Sequence, residues 1–574
     1  MAPADQPAFV TRDPADSLAS AAPVTWALRE LGEALGQASA ATEPPPHVVV
    51  AGAGTPVARA ALARAGLPPL EGPEAFALVP TPEGIVALGS DVRGLVYAVL
   101  ELADRARHAQ NGGIAAALRP TKAVVERPAC RVRSIARLFS SQTEDLGWWH
   151  DRTFWTDYLT ELVTHRHNRF ALTLGLGHNF PRGVTDDYLH FPYPFLIDVP
   201  GYDVRARGVS AGERDRNLET LRFIGQEVKR RGLQFQLGLW THAYRWVDSP
   251  HATHPIEGLS DERHAAYCRD ALRLLVGRVP TVDGLTFRVH GESGIPEGSH
   301  DFWRTVFGGV VDASRALGRP LEIDMHAKGL DQETIDLALE TGLPIVISPK
   351  YWAEHQGLPY QQASIREIER LSPPARGHMA ISSGERRHSR YGYTDLLRED
   401  RGYDVLFRIW PGTQRLLLWG DPTFAAGFGT HGAFDGCLGT ELCEPLSFKG
   451  RLGSGVPGNR TGYADESLIP ARDFEKYRYT YRVWGRGTYR GLTGETDPDG
   501  WRRFTRYHFG DAAADAELAL AHASRICLLA TTAHGPSANC KIYWPELYTN
   551  QPLASDRGHP YSDMTPPKTF GHAT

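Results

Sequence analysis

The chain has 574 residues, of which 42% are apolar and 22% charged, and its net charge is −5. This composition is typical of a globular protein and allows about three or four domains. The weak negative charge gives no indication of binding to nucleic acid, and no apolar run is long enough to cross a membrane. Six cysteines without CxxC spacing indicate reduced thiols rather than a disulfide framework.

Residues 1–125 predict a small N-terminal α/β domain. Asp91 is placed to cap the last helix of this domain. The sequence AGAGTPVARA (51–60) follows a strand but lacks the full GxGxxG pattern, so we interpret it as a tight βα turn rather than a nucleotide site. The predicted elements are helices at Thr25–Gly36, Thr55–Ala65 and Asp91–Arg105, a strand at His47–Ala51, and a hairpin of Phe76–Pro80 and Gly84–Leu88.

Residues 130–465 alternate buried strands with amphipathic helices, which predicts parallel strands with right-handed crossovers. Polar and aromatic residues recur after most strands, so a (β/α)8 barrel fits better than an open sheet. The predicted strands are Val132–Leu138, Phe170–Leu174, Gln234–Leu239, Leu285–Val289, Leu321–Met325, Pro344–Ser348, Val405–Trp410, Arg415–Trp419 and Gly436–Leu442. The predicted helices are Phe154–Arg166, Arg214–Arg231, Asp261–Val276, Asp301–Leu317, Gln332–Glu340 and Ile365–Leu371.

Residues 466–574 predict a mainly helical C-terminal region, with one alanine-rich helix at Ala512–Ala530. The N-terminal sequence has neither the basic nor the apolar part of a signal peptide, which indicates a cytoplasmic protein. A periplasmic or secreted location is expected instead if a leader has been removed.

Side chains suited to chemistry cluster where predicted strands end. Aromatic rings stack on sugar faces, and charged and polar groups bind hydroxyls, so this mixture is typical of a carbohydrate site. The residues at these strand ends are His178, Asn179, Trp240, His242, Tyr244, Arg288, His290, Glu292, Asp324, His326, Lys328, Lys350, Tyr351, Trp352, Glu354, His355, Arg408, Trp410, Glu441 and Glu444.

Glu292 is the strongest candidate for a reacting group. The segment VDGLTFRVHGESGIPEG (282–298) forms a predicted strand that breaks at Gly291, and Glu292 comes directly after the break. A carboxylate at that position of a barrel is suited to acid or base catalysis, although a surface turn would also place a glutamate there. Glycosidic cleavage needs a second carboxylate; Glu354 is our first choice, with Asp324 and Glu441 as competitors.

Metal binding is a weaker alternative. The HxH motif of His165 and His167 precedes a predicted strand, so it should lie at the end of the barrel opposite the active site. His290 with Glu292 and Asp324 with His326 form two further pairs, but the sequence does not show clearly the three or more histidine ligands that would identify a metal site. We therefore expect no metal and no cofactor.

Three motifs carry a resemblance to known glycoside hydrolases. EGIVALGSDVRGLVYAVLELADR (83–105) resembles the end of the α/β domain that precedes the barrel in family-67 and family-115 α-glucuronidases and family-20 hexosaminidases. LVTHRHNRFAL (162–172) is similar to a phrase that these enzymes carry before the second strand, and DGLTFRVHGESGIPEG (283–298) resembles the family-67 segment with the general acid. The resemblance implies that Glu292 is this acid.

One difference from these families bears on which of them the chain resembles. Family-20 enzymes carry an Asp-Glu pair at the fourth strand, whereas this chain has Gly291-Glu292, which argues against substrate-assisted hexosaminidase chemistry. Of these families, the chain most resembles the family-67 α-glucuronidases. In those enzymes the base comes from later strands, and residues 344–359 with Lys350 and Glu354 occupy a comparable place.

We expect a glycoside hydrolase of polysaccharide degradation that removes a terminal sugar, with an oligosaccharide or glycoside as its substrate. An acidic sugar would need a fixed cation, for which Arg288, Lys350 and Arg408 are candidates. A desolvated pocket would keep Glu292 protonated. The alternatives are a metal-dependent barrel hydrolase and a non-catalytic carbohydrate-binding barrel. We expect no nucleic-acid or membrane partner; the oligomeric state stays open, with a homodimer as one expectation.

Overall fold

The fold is seen in a computed structural model. It describes residues 9–37, 45–109, 113–175, 186–245, 252–349, 396–409, 419–444, 465–492 and 499–534. Within these ranges the chain forms a five-stranded sheet with helices, a closed barrel of eight parallel strands, and a set of C-terminal helices. None of the described helices is long and apolar enough to cross a membrane.

The N-terminal sheet has the strand order β1-β2-β4-β3-β5. The predicted hairpin is confirmed, because β3 and β4 pair antiparallel with Phe76 opposite Gly89. The sequence patterns miss two strands, β1 and β5, because three residues are too few for an alternation signal. The strands are β1 Val10–Arg12, β2 His47–Gly52, β3 Phe76–Pro80, β4 Gly84–Gly89 and β5 Val124–Glu126. The helices are α1 Ala22–Gln37, α2 Pro56–Arg64, α3 Val92–Arg107 and α4 Gly113–Leu118.

Asp91 caps α3, as predicted. One carboxylate oxygen accepts the Gly94 N–H at 2.7 Å, and the other accepts the Glu74 N–H at 2.8 Å. We expect Asp91→Ala to cost about 1–2 kcal/mol of unfolding free energy because it leaves both amides without this acceptor. Asp91→Asn, which keeps a cap oxygen, should cost less. Urea unfolding followed by circular dichroism measures both; equal midpoints for the alanine variant and the parent would contradict the capping role.

The barrel closes with its last strand paired to its first. Glu441 on the last strand is opposite Ser134 on the first, and all neighbouring pairs are parallel. The predicted α/β barrel is therefore confirmed. Its strands are β6 Val132–Phe139, β7 Arg169–Leu174, β9 Gln234–Leu239, β11 Gly284–Arg288, β12 Glu322–His326, β13 Ile345–Ser348, β14 Asp404–Ile409 and β15 Gly439–Cys443.

Three predicted segments in the second half of the barrel differ from the structure or lie outside the described residues. Trp419, the end of a predicted strand at 415–419, lies in no strand, and the barrel closes without it; residues 415–418 lie outside the described ranges. The last strand begins at Gly439 rather than Gly436, because Phe434–Gly436 forms a 3-10 turn. The helix predicted at 365–371 also lies outside the described residues.

Helices follow most barrel strands, and a short antiparallel pair of strands lies outside the barrel. The pair is β8 Arg205–Ala206 with β10 Ile256–Glu257. The helices are α5 Gln142–Trp149, α6 Arg152–Thr164, α7 Tyr193–Leu196, α8 Ala211–Arg230, α9 Asp261–Arg278, α10 His300–Leu317, α11 Gln332–Glu340 and α12 Pro422–Gly432. The C-terminal helices are α13 Arg478–Arg490, α14 Asp499–Phe509 and α15 Ala513–His534.

A buried charge cluster joins the N-terminal domain to the barrel and the C-terminal helices. Glu101 and Asp104 of α3 are buried, and Arg166 after α6 lies 2.6 Å from Glu101. Arg482 and Arg486 of α13 bind the same two carboxylates at 2.6 and 2.7 Å. Because these charges are buried and pair across three regions of the chain, the cluster ties the three regions together.

This cluster predicts sensitivity to acid. Burial would raise the pKa of Glu101 and Asp104, but the surrounding arginines hold both values well below their ordinary 4.5 and 3.8. Each carboxylate therefore stabilises the fold above its ordinary pKa, and that contribution is lost as the pH falls towards the lower folded value. We expect the thermal unfolding midpoint to fall steadily below a pH of about 4.5. A midpoint that stays constant down to a pH of about 3 would contradict this expectation.

Candidate active site

Two neighbouring strands, β11 and β12, end in the same local structure. Beyond β11, His290 accepts the backbone N–H of Glu292 on Nδ1 at 3.3 Å. At the end of β12, His326 accepts the N–H of Lys328 in the same way, also at 3.3 Å. The two imidazole rings lie 5.6 Å apart. Each histidine thus stabilises a turn at the C-terminal end of the barrel, and a charged residue follows the histidine two positions later.

These two charged residues form an ion pair. The ammonium group of Lys328 donates to Oε1 of Glu292, and Nη1 of Arg288 lies 3.0 Å from Oε2. The Glu292 and Lys328 side chains are each 27% exposed, whereas the Arg288 side chain is 4% exposed. Glu292 therefore stands between a reachable cation and a buried one.

The ionisation state of Glu292 differs from the sequence-based expectation. Burial alone would raise its pKa, but the charges of Lys328 and Arg288 outweigh burial and hold the pKa well below the usual range. The carboxyl group is therefore ionised in the free protein at neutral pH, rather than protonated as expected. The expectation considered desolvation but not the lysine from the next strand.

Trp240, at the end of β9, contacts two arginines from different strands. The guanidinium carbon of Arg288 lies 4.2 Å from the centre of the indole ring, and that of Arg408 lies 5.6 Å from it. The ring is buried and also lies 6.3 Å from the His326 ring. Trp240 therefore restrains the cation that binds Glu292, since a stacked guanidinium loses orientational freedom.

Asp324 and Glu441 belong to a buried layer inside the barrel. Nη2 of Arg408 lies 2.7 Å from Asp324 Oδ2, and its Nη1 lies 3.1 Å from Glu441 Oε1. Thr286 and Ser348 donate their hydroxyl groups to Asp324. Ser134 donates to Glu441 at 2.9 Å. Both carboxylates are fully buried, so the structure separates them from the partly exposed Glu292.

Residues just after β9 hold the loop that carries Glu292 in place. The backbone N–H groups of His242 and Ala243 both donate to the carbonyl oxygen of Ser293, at 2.9 and 3.0 Å. His242 itself is a core residue: burial lowers its pKa to about 3, so it is neutral. The hydroxyl group of Tyr244 donates to Asp261 at the start of α9 rather than to Glu292.

Several predicted site residues lie outside the described residues: His178, Asn179, Lys350, Trp352, Glu354, His355 and Trp410. Their proposed roles therefore stay predictions. Of the remaining predicted residues, the structure brings together Trp240, Arg288, His290, Glu292, His326 and Arg408, with Asp324 and Glu441 beneath them.

In the described part of the chain, no three or more His, Cys, Asp or Glu side chains form a group that could hold a metal ion. His165 of the HxH motif lies 2.9 Å from Glu161, and burial lowers the pKa of both His165 and His167 to about 3. Both rings lie near α13, since His167 contacts the Tyr481 carbonyl oxygen. The motif therefore packs the barrel against the C-terminal helices.

Lys328 is a site residue that the sequence pattern places at a strand end without a partner. Its partner, Glu292, lies 36 residues away in the chain, so no local pattern connects the two. One signal was present: the patterns His290-Gly291-Glu292 and His326-Ala327-Lys328 repeat the same spacing on consecutive strands. The register pairs Arg288 with His326, so the two repeats are offset by two residues along the neighbouring strands. The His290 and His326 rings nevertheless lie 5.6 Å apart, which brings the two repeats close together.

Comparisons with known proteins support the fold. No protein-family model and no curated protein sequence matches the chain. Among solved structures, a "GH138 enzyme targeting pectin rhamnogalacturonan II" is similar with a TM-score of 0.61 and 16% identity, over 92% of this chain and 56% of that chain. The chain thus spans little more than half of that neighbour, and the likeness shows the fold alone.

Two further structures are more distant. The GH20 β-N-acetylhexosaminidase from Streptomyces coelicolor A3(2) has a TM-score of 0.41 and 12% identity, over 86% of this chain and 90% of that chain. The Flavobacterium johnsoniae chitobiase has a TM-score of 0.45 and 12% identity, over 91% of this chain and 71% of that chain. At these scores we base no argument on either.

Proposed function

We propose that this protein is a glycoside hydrolase that removes a terminal sugar, with Glu292 as one of its reacting carboxylates. The observation that carries the proposal is the position of Glu292: partly exposed, on the loop after a barrel strand, between Lys328 and Arg288. Loops at this end of a parallel barrel are where enzymes with this fold perform their chemistry. The fold neighbour that targets a pectin makes a plant cell-wall glycan the first substrate class to test.

We further propose that the sugar is acidic. Two cations, Lys328 and Arg288, face one reachable carboxylate, and a sugar carboxylate needs such cations when it leaves water. Arg408, an earlier candidate for this role, is occupied by Asp324 and Glu441 inside the barrel. Lys350 stays a candidate. An α-glucuronidase-like activity is therefore the specific form of the proposal.

The second carboxylate is proposed to be Glu354, as the sequence suggested. Asp324 and Glu441 are less suited to the role, because they are fully buried and bound to Arg408. We propose instead that the Asp324 and Glu441 carboxylates hold Arg408 in its position beside Trp240. The separation between the two reacting carboxylates would decide between retention and inversion of the anomeric centre.

A panel of aryl glycosides and aryl glycuronides tests the proposal. We expect release of the aryl group from at least one glycuronide, and little release from the matching neutral glycoside. Activity that survives a chelator would separate this reaction from a metal-dependent hydrolase. Binding of the sugars without any turnover, unchanged in Glu292→Gln, would identify a carbohydrate-binding barrel instead. Turnover of neutral glycosides alone would contradict the proposal that the sugar is acidic.

A further inference from the structure

The pair of Glu292 and Lys328 joins a reacting group to a group suited to bind a sugar acid. We propose that Lys328 changes partners when an acidic sugar binds: the ligand carboxylate replaces the Glu292 carboxylate at the ammonium group, and Glu292 takes up one proton from water. This inference rests on the proposed function and adds a mechanism by which the charge of the sugar controls the state of the acid.

The geometry allows such an exchange at Lys328 and not at Arg288. Each oxygen of Glu292 has its own cation, Lys328 on Oε1 and Arg288 on Oε2. Lys328 is partly exposed and its side chain is flexible, so a solute can reach its ammonium group. Arg288 is buried and stacked on Trp240, so it keeps its position and its contact with Oε2.

The charges around Glu292 favour the entry of a second anion. Lys328 and Arg288 are cations, and His290 Nε2 lies 3.9 Å from Oε2. His326 packs against His290, and Glu297 lies beside Gly329 on the neighbouring loop. Because the groups closest to the Glu292 oxygens among the described residues are cations, a ligand carboxylate is attracted to this position more strongly than a neutral hydroxyl group.

The exchange would reverse the ionisation of Glu292. In the free protein the two cations keep its pKa well below the usual range, despite burial. A ligand carboxylate at Lys328 removes the effect of that cation on Glu292 and adds a like charge, and both changes raise the pKa of Glu292. Protonated Glu292 can then donate to a leaving oxygen, whereas a neutral sugar leaves it ionised. Specificity for acidic sugars would therefore arise partly at the proton-transfer step.

Isothermal titration calorimetry measures the proton directly. D-galacturonate and D-glucuronate are titrated into the full chain at a pH of about 6, in two buffers of different ionisation enthalpy, with D-galactose and D-glucose as controls. We expect uptake of about one proton for each sugar acid bound, and none for the neutral sugars. The affinity for the sugar acid should fall as the pH rises.

Two variants separate exchange from simple binding. Glu292→Gln should bind the sugar acid at least as tightly as the parent but take up no proton, because an amide does not titrate. Lys328→Met should weaken sugar-acid binding about 10–100-fold, and Lys328→Arg, which keeps the charge, should weaken it less. Circular dichroism confirms that each variant is folded.

Three outcomes would overturn the exchange: sugar acids bind the parent without proton uptake, uptake persists in Glu292→Gln, or neither sugar acid binds the parent. The fate of the proposed function is read separately from the aryl-glycoside panel. Proton uptake without hydrolysis would support the exchange and contradict the proposed glycosidase activity. Hydrolysis of a glycuronide without proton uptake would support the glycosidase activity and contradict the exchange.

Discussion

Replacement of Glu292 by glutamine should lower kcat about 10²–10⁴-fold on glycosides with poor leaving groups, because the amide can neither donate nor accept the proton in the transition state. Glutamine has nearly the same shape, and its amide oxygen can still accept from one of the two cations, Lys328 or Arg288, so the fold should persist. Steady-state kinetics on a natural oligosaccharide and on an activated aryl glycoside measure the effect. The loss should be far smaller on the aryl substrate, which needs little protonation of its leaving group.

The comparison between substrates also assigns the role. An equal loss on both would indicate that Glu292 is the nucleophile or the base, a role that its ionised state in the free protein would suit. Glu340→Gln, an exposed change on α11 with a side chain 65% accessible, is the matched control and should leave kcat unchanged. Full activity of Glu292→Gln on both substrates would remove Glu292 from the chemistry.

Replacement of Arg408 by methionine should destabilise the protein by about 3–5 kcal/mol, because it leaves the carboxylates of Asp324 and Glu441 buried without their cation. Methionine fills much of the aliphatic volume, so the lost charge, rather than a cavity, should dominate. Thermal unfolding midpoints of the variant and the parent measure the effect.

Arg245→Met is the matched control for this change. Arg245 lies 2.9 Å from Asp261, but both side chains are 67% exposed, so solvent screens the pair and the loss should be far smaller than for Arg408→Met. If Arg408→Met were no less stable than Arg245→Met, the buried layer would not contribute as we describe. Because Arg408 also contacts Trp240, a folded Arg408→Met protein should show weaker substrate binding as well.

The barrel could be predicted from the sequence because its strands carry local signals. The strand Gln234–Leu239 and the helix Gln332–Glu340 were predicted with the bounds that the structure shows, since buried apolar runs alternate with amphipathic helices. The position of Glu292 after a strand is also local information, because it depends only on where the chain breaks at Gly291. Short strands such as β1 carry too little of this signal.

The state of the site depended on contacts between strands. Glu292 is ionised because Lys328 reaches it from the next strand, and Asp324 is bound because Arg408 and Ser348 point into the same layer of the barrel. A sequence pattern shows that a side chain points inwards, but not which charges from other strands it meets there. Strand order, register and barrel closure decide those neighbours, and the neighbours decide whether a buried carboxylate is neutral, paired or available for catalysis.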